Sequence, residues 1–184
     1  MPGAQPVLYT IGHSNRALEA LISMLRAHGI AHLADIRTVP RSRYNPQFNR
    51  ETLPAALAAA GIAYTHRAEL GGLRHPRKDS PNAGWRNAGF RGFADHMATA
   101  EFARALAALL ADAEAAPTAV MCAEAVPWRC HRSLVADAAT VRGVAVEHIM
   151  SAERRELHHL TPFAHVEGTH LTYPPEEATL PGLE

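Results

Sequence analysis

The chain has 184 residues, of which 47% are hydrophobic and 20% charged, and its 18 basic and 18 acidic residues give a net charge of zero. These values suit one soluble domain with a single core, and they exclude a disordered chain, a collagen-like fibre and a coiled coil. No apolar run reaches the ~18 residues that span a bilayer, and the N-terminus lacks a signal-peptide pattern. Two cysteines make no disulfide framework. We therefore expect a cytoplasmic protein with reduced thiols.

Strands and helices alternate along most of the chain. A β-rich segment at Val7–Ile11 precedes apolar residues at helical spacing from Ala17 to Leu25, with Ser14 or Asn15 as N-cap and Gly29 at the helix end. Further strands are predicted at residues 32–36, 62–65, 118–122 and 144–149. Further helices are predicted at residues 52–60, 93–114 with a break near Thr99, and around 134–141. Residues 69–91 form the longest irregular segment, and such long loops are usually functional or disordered.

This alternation predicts a single-domain α/β fold. We expect a core domain over residues 1–156 and an extended, proline-containing tail over residues 157–184 that packs on or near it. The sheet should be mostly parallel and five-stranded, in the order 3-2-1-4-5, with helices on both faces, since parallel connections are right-handed. In such sheets ligands bind outside the carboxyl ends of the strands where the order reverses. That point lies between strands one and four.

Two segments flank this predicted binding point, residues 12–15 after strand one and residues 122–132 after strand four, and the arginine-rich loop 37–43 lies on the same rim. Cys130, His131 and Arg132 stand at the start of the fourth helix. Free N–H groups and a partial positive charge at a helix start bind anions and lower the pKa of a thiol. We therefore expect Cys130 to be the more reactive thiol. The alternative is a packed cysteine beside a solvated arginine.

Cys122 ends a buried strand, and Glu124 follows two residues later as a general base or as the partner of an arginine. The string from Cys122 to Arg129 is similar to the cysteine–loop–arginine cradle of cysteine phosphatases and rhodaneses, with a longer loop. We expect no metal site, since the usual zinc spacings are absent. The cofactor is unknown from the sequence, and no motif indicates one, since neither a P-loop nor a dinucleotide-binding glycine motif occurs.

Positive charge is concentrated between Ile36 and Gly92, where ten basic residues and three acidic ones leave a net charge of +7. All but Lys78 are arginines, which suit bidentate binding of phosphate or carboxylate. The segment therefore favours an anionic partner. It also contains aromatic residues that could stack on bases, namely Tyr44, Phe48, Trp85 and Phe90, which leaves a nucleic-acid surface open.

Five short motifs follow one another in the chain: Thr10–Ser14, Asp35–Arg37 with Pro40–Ser42, Leu70–Gly72, Cys122–Glu124 and Cys130–Arg132. In order and spacing they resemble the bacterial and archaeal family of domain of unknown function 488, in which the second motif usually has Val where Ile36 stands. The resemblance spans roughly residues 7–149. It implies an α/β fold and a shared pocket built from these motifs. The family has no settled activity, so the resemblance implies no reaction.

Two functions of different classes follow from these residues. The first is an enzyme that acts on a phosphate-bearing small molecule or nucleotide in a crevice lined by cysteine, histidine and arginine. Its catalytic candidates are Cys130, Cys122, Glu124, His13 and His131. Its candidates for binding the anion are Gly12, Ser14, Asn15, Asp35, Arg37, Arg41, Ser42, Tyr44, Gly71, Gly72 and Arg132.

The second function is a non-enzymatic nucleic-acid or nucleotide-binding module that uses residues 36–92, and a pseudo-enzyme or partner-binding scaffold is a third. Arginines that converge on the crevice would favour a small anionic ligand. Arginines spread over a convex face would favour a polymer. No membrane partner is expected.

Overall fold

The structure, a computed structural model, describes residues 5–176. Its main feature is one sheet whose strands are β1 (Val7–Gly12), β2 (His32–Asp35), β3 (Ala63–His66), β4 (Thr118–Cys122), β5 (Ala145–Ile149) and β6 (Arg155–Leu157). The spatial order is β3-β2-β4-β1-β5-β6, and every neighbouring pair is parallel except β5 and β6. The predicted single-domain, mostly parallel α/β fold is confirmed.

The strand order differs from the predicted order 3-2-1-4-5. β4 lies between β2 and β1, and β1 pairs with β5 on its other side. The handedness rule gives the direction of each crossover, but not how many strand positions the crossover skips. The adjacency of the first and fourth strands was predicted correctly, and Gly12 lies opposite Cys122 at their carboxyl ends. The sixth strand was missed because three residues are too few for a periodic pattern.

Within residues 5–176, five helices cover the sheet: α1 (Leu18–Ala27), α2 (Leu53–Ala59), α3 (Ala88–His96), α4 (Ala100–Ala115) and α5 (Arg132–Thr140). The predicted break near Thr99 is present, and the Thr99 hydroxyl accepts the Phe102 N–H at 3.2 Å as the N-cap of α4. α3 begins five residues earlier than the predicted start at Phe93. There the Asn87 side chain caps the helix by accepting the Phe90 N–H at 3.1 Å.

Side chains of the central strands alternate between two cores, one on each face of the sheet. Ile11 and Met121 join the core that contains Leu21 of α1 and Leu57 of α2. The opposite core contains residues of α4 and α5, and it takes Leu8, Ala34, Val120 and Cys122 from the strands. The Cys122 side chain therefore belongs to the face that α4 and α5 cover.

The predicted tail begins inside β6, at Leu157. Beyond it, β7 (His165–Glu167) and β8 (His170–Thr172) form an antiparallel hairpin where an extended chain was predicted. Tyr173 is fully buried in the core that also contains Cys122. Residues 177–184 of the predicted tail lie outside the described residues. None of the helices within residues 5–176 is long and apolar enough to cross a bilayer.

Candidate functional site

A cleft of about 640 Å³ lies at the carboxyl ends of β1, β2 and β4. This volume is within the usual range of small-molecule sites. Ten of the residues predicted from the sequence line it: His13, Ser14, Arg37, Arg41, Ser42, Gly72, Cys122, Glu124, Cys130 and His131. Segments more than 100 residues apart in the chain therefore meet at one rim, as the adjacency of β1 and β4 requires.

Six predicted anion-binding residues do not line the cleft: Gly12, Asn15, Asp35, Tyr44, Gly71 and Arg132. Tyr44 is 87% exposed on the surface, whereas Asp35 and Arg132 are fully buried behind the cleft wall. A β-carbon on Gly71 would collide with Thr38. The cleft lining gives no support for direct ligand contact by these six, and their role stays a prediction. Sequence spacing placed them near the rim, but it did not show which way each side chain faces.

Gly12 has a steric role at the end of β1. A β-carbon at this position would collide with the backbone carbonyl of Glu124 and lie 2.8 Å from Arg132 Nη1. The neighbouring turn is tightened by backbone N–H groups of His13 and Ser14, which donate to the carbonyls of Cys122 at 2.9 Å and Ala123 at 2.8 Å. Glycine thus allows the two loops to approach closely enough to form the cleft floor.

Two strained residues line the cleft. Ser14 has a φ of 52° and Leu73 a φ of 32°, and these are the non-glycine residues with positive φ within the described part of the chain. Such conformations cost free energy and concentrate at functional sites. Leu73 is also 80% exposed. Both observations mark this rim as a candidate ligand site.

Arg37 is held by Asp35 and is not free to bind a ligand through its full guanidinium. Its Nε and Nη2 donate to the two Asp35 carboxylate oxygens at 2.9 and 2.7 Å, and Nη2 also donates to the Phe48 carbonyl at 2.7 Å. The Tyr64 hydroxyl donates to Asp35 at 2.6 Å, and burial raises the pKa of Tyr64 well above its usual range. This buried network braces the loop after β2.

The two cleft histidines are neutral at pH 7. His13 stacks on Phe48 with ring centroids 4.4 Å apart, donates from Nδ1 to the Ser14 carbonyl at 2.7 Å, and is 3% exposed. Burial lowers the pKa of His13, and burial lowers the pKa of His131 to about 4. His131 Nε2 lies 3.3 Å from the Ile36 carbonyl, to which it donates. The remaining ring nitrogens are hydrogen-bond acceptors, so neither histidine supplies positive charge.

The two cysteines meet in the cleft wall. The sulfur atoms of Cys122 and Cys130 lie side by side, while the two Cα atoms are 7.5 Å apart, which is beyond the usual span of a disulfide. The expected reduced thiols therefore stay a prediction. The loop between them folds back through a short helical turn at Pro127–Arg129, which returns the chain to the end of β4. A count of cysteines does not reveal such a close approach.

The sulfur atoms of the two cysteines have different surroundings. Cys122 Sγ accepts a hydrogen bond from Arg132 Nη1 at 2.9 Å. Cys130 Sγ lies 3.6 Å from His131 Nδ1, and the Arg132 backbone N–H is directed to it at 3.5 Å. The guanidinium of Arg132 thus faces Cys122. This arrangement favours Cys122 over the predicted Cys130 as the stabilised thiolate of the reduced protein.

Arg132 is a buried cation without a carboxylate partner. Its other donors go to the Thr10 hydroxyl at 3.2 Å, to the Ala125 carbonyl at 3.0 Å and to the Glu124 carbonyl. Among residues 5–176, no carboxylate lies within ion-pair distance of its guanidinium. A buried charge is costly unless it is balanced. The sulfur of Cys122 is the neighbouring group that can become an anion.

Two arginines in the cleft remain available for a ligand. Arg41 and Arg129 are exposed and line the cleft. Within the described residues, neither guanidinium forms an ion pair. Glu124 is the acidic residue of the lining. Arg129 was not among the residues predicted to bind the anion, although the cysteine–loop–arginine string that ends at this residue pointed to it.

Most basic residues of the 36–92 segment lie outside the cleft. Only Arg37 and Arg41 of the ten line the cleft, while Arg67 pairs with Asp112 and Arg77 pairs with Asp79. The predicted aromatic platforms are also largely occupied: Phe48 is buried under His13, and Trp85 and Phe90 pack on each other with centroids 5.0 Å apart. Tyr44, which is 87% exposed, remains free in the loop that also contains the exposed Arg41 and Arg43. The described residues contain no group of three or more His, Cys, Asp or Glu side chains placed to hold a metal ion.

These features define an α/β protein with a cysteine- and arginine-lined cleft at the carboxyl ends of its parallel strands. The chain belongs to the family of domain of unknown function DUF488, whose model matches residues 17–139. The match covers four of the five motifs and the whole path from α1 into α5. Comparisons with curated proteins and with solved structures give no match.

Proposed function

We propose that the cleft binds a small phosphate-bearing molecule, such as a nucleotide or another phosphate monoester, and that Cys122 in its reduced form acts on it. The observation that supports this most directly is the placement of Arg41 and Arg129 in the same cleft as Cys122. Arginine binds phosphate oxygens through paired N–H groups. The cleft volume of about 640 Å³ is in the range that suits a nucleotide-sized ligand.

The reaction that fits these groups is phosphoryl transfer to sulfur and then to water. The Cys122 thiolate attacks phosphorus, an S–P bond forms, and the P–O bond to the leaving group breaks. The leaving oxygen takes a proton from solvent. Water then attacks phosphorus while Glu124 accepts a proton from it, the S–P bond breaks, and inorganic phosphate and the thiolate are released. No oxidant or reductant is consumed in this sequence.

A disulfide formed between Cys122 and Cys130, whose sulfur atoms lie side by side, would hold the proposed nucleophile in an inactive form. The proposal therefore places the protein in a reducing, cytoplasmic compartment, where thiols persist. A reducing agent should be present in every assay. The oxidised protein is a useful comparison, since a disulfide would remove the thiolate and leave Arg41 and Arg129 in place.

We expect Arg129→Gln and Arg41→Gln each to weaken binding of a nucleoside monophosphate by about tenfold or more, since each removes a charge-assisted hydrogen bond. Isothermal titration calorimetry or a thermal-shift titration measures this directly. Arg43→Gln is the matched control, since Arg43 lies in the same loop, is exposed and does not line the cleft. Equal affinity in all four proteins, or no binding to any of them, would overturn the proposed ligand class.

Turnover is tested separately with a chromogenic aryl phosphate, whose leaving group departs without a general acid. We expect phosphate release by the reduced protein, and its loss in Cys122→Ser. Binding without release would retain the ligand class and refute the role of Cys122 as a nucleophile. Release that persists in Cys122→Ser would have the same consequence for that role.

A further inference from the structure

A continuous chain of buried polar side chains runs behind the cleft. Arg132 Nε donates to Thr10 Oγ1 at 3.2 Å, and Thr10 Oγ1 lies 2.6 Å from His148 Nδ1. His148 Nε2 lies 2.9 Å from His158 Nδ1, and His158 Nε2 lies 2.7 Å from Asp137 Oδ1. The chain links β1, β5, the segment after β6 and α5. None of its members lines the cleft.

Asp137 fixes one end of this chain. It is fully buried, and its carboxylate accepts the Thr161 N–H at 3.1 Å, the Thr161 hydroxyl at 2.7 Å and the Tyr173 hydroxyl at 2.8 Å. Burial raises the pKa of Tyr173 beyond its usual range, so this hydroxyl keeps its proton and donates it. With so many donors, Asp137 acts only as an acceptor. His158 Nε2 must therefore carry a hydrogen, and in the neutral ring Nδ1 accepts one.

The direction of every other bond follows from that accounting. Since His158 Nδ1 accepts, His148 Nε2 donates and His148 Nδ1 accepts. The Thr10 hydroxyl hydrogen is then directed to His148, which leaves a lone pair of Thr10 facing Arg132 Nε. Burial lowers the pKa of His148 to about 3, which agrees with a neutral ring that accepts at Nδ1. The chain is thus ordered from Arg132 to Asp137.

The guanidinium of Arg132 is held at both ends by these contacts. Thr10 Oγ1 accepts a hydrogen bond from Arg132 Nε, and Cys122 Sγ accepts one from Arg132 Nη1 at 2.9 Å. Burial lowers the pKa of Arg132 to about 10, so it stays cationic at neutral pH. Thr10 is the side-chain oxygen among the acceptors that orient the guanidinium, beside the carbonyls of Glu124 and Ala125. A change in Thr10 or in the groups that orient it should therefore reach Cys122.

We propose that Thr10, His148, His158 and Asp137 form a positioning relay that holds Arg132 against the sulfur of Cys122 and thereby favours the Cys122 thiolate in the reduced protein. The inference concerns the thiol alone and does not depend on which molecule the cleft binds. The other ionisable groups near Cys122 or Arg132 belong to the neighbouring elements: His13 and Arg16 after β1, Arg37 after β2, Glu124 after β4, and Cys130 and His131 at the start of α5. None of them contacts the relay itself.

The test measures ionisation of Cys122 without any ligand. In a Cys130→Ser background, the ultraviolet absorbance of the thiolate is followed against pH, and the same protein with Cys122→Ser is subtracted. We expect the midpoint to lie below the value of ~8.5 for a free cysteine. Thr10→Val, which removes the hydroxyl and keeps the shape, should raise the midpoint by about one unit or more, with about tenfold less thiolate at neutral pH.

Thr10→Ser is the conservative rescue, since it keeps the hydroxyl, and its midpoint should equal that of the parent. Asp137→Asn and His158→Gln should shift the midpoint in the same direction as Thr10→Val. A folded Thr10→Val, Asp137→Asn or His158→Gln protein with an unshifted midpoint would overturn the relay.

The native protein supplies a second measurement that requires no variant. Nitrogen-15 chemical shifts report which ring nitrogen of a histidine carries the hydrogen. Both His148 and His158 should be protonated at Nε2 and unprotonated at Nδ1 at neutral pH. Any other tautomer in either ring would also refute the proposal, because the ordered chain would then be broken.

Discussion

Asp35→Ala should lower the free energy of unfolding by about 3–5 kcal/mol, since it leaves the buried Arg37 guanidinium without its counter-ion. Asp35 is fully buried and Arg37 is 8% exposed, so water cannot replace the lost carboxylate. The change also removes the acceptor of the Tyr64 hydroxyl and of the Arg37 backbone N–H. Urea-induced unfolding followed by circular dichroism measures the effect.

The chain contains a matched control for this prediction. Arg77 and Asp79, also two residues apart, form the same kind of bidentate pair. Arg77 Nε and Nη2 donate to the two Asp79 carboxylate oxygens at 3.1 and 2.8 Å. Their side chains are 60% and 75% exposed. Asp79→Ala should therefore leave the unfolding midpoint nearly unchanged, because exposed pairs contribute little. Equal effects of the two substitutions would mean that burial does not govern the strength of the Asp35–Arg37 pair.

The elements of the fold follow from short-range patterns, which explains why most of them could be predicted. β4 was predicted with its exact ends, and the break at Thr99 was visible from a capping residue within a helical run. The strand order could not be obtained in this way, since it depends on which strands pair across the sheet. β6 gained its place from pairing with β5, not from its own three residues.

The site was predicted better in location than in side-chain roles. The carboxyl ends of adjacent parallel strands bring His13, Ser14, Cys122 and Glu124 together, and this follows from topology alone. Hydrogen-bond partners do not follow from topology. Arg132 was expected in the cleft and lies behind it, because Gly12 leaves room for its guanidinium under the loop after β4. The relay ending at Asp137 carries no local sequence pattern at all.

Acidification should unfold this protein at an unusually high pH. Burial lowers the pKa of His131 to about 4 and of His148 to about 3, and it also lowers the pKa of His13, His32 and His96. In the unfolded chain these rings have their ordinary pKa of 6.5. Below that pH the unfolded state therefore binds protons that the folded state does not bind. Stability is fully present above about pH 7 and is lost as the pH falls.

The size of this loss follows from the two largest shifts. Each histidine costs about 1.4 kcal/mol per pH unit below 6.5 until its folded pKa is reached. At about pH 4.5, His131 and His148 together should cost about 5 kcal/mol, which is comparable with the whole stability of a small domain. Urea midpoints measured between pH 8 and pH 4.5 should fall steeply over the lower part of this range. The slope of the unfolding free energy against pH should correspond to the uptake of about two protons on unfolding.

His131→Gln isolates one of the two contributions. Glutamine keeps an N–H donor for the Ile36 carbonyl and removes the titration, so the slope of stability against pH should decrease by about one proton between pH 6 and pH 4.5. His165→Gln is the control, because the side chain of His165 is 58% exposed. A parent protein with a flat profile down to pH 4.5 would show that the buried histidines are protonated in the folded state. The neutral rings assigned to His131 and His148 would then be wrong, and with them the donor accounting that orders the bonds from Arg132 to Asp137.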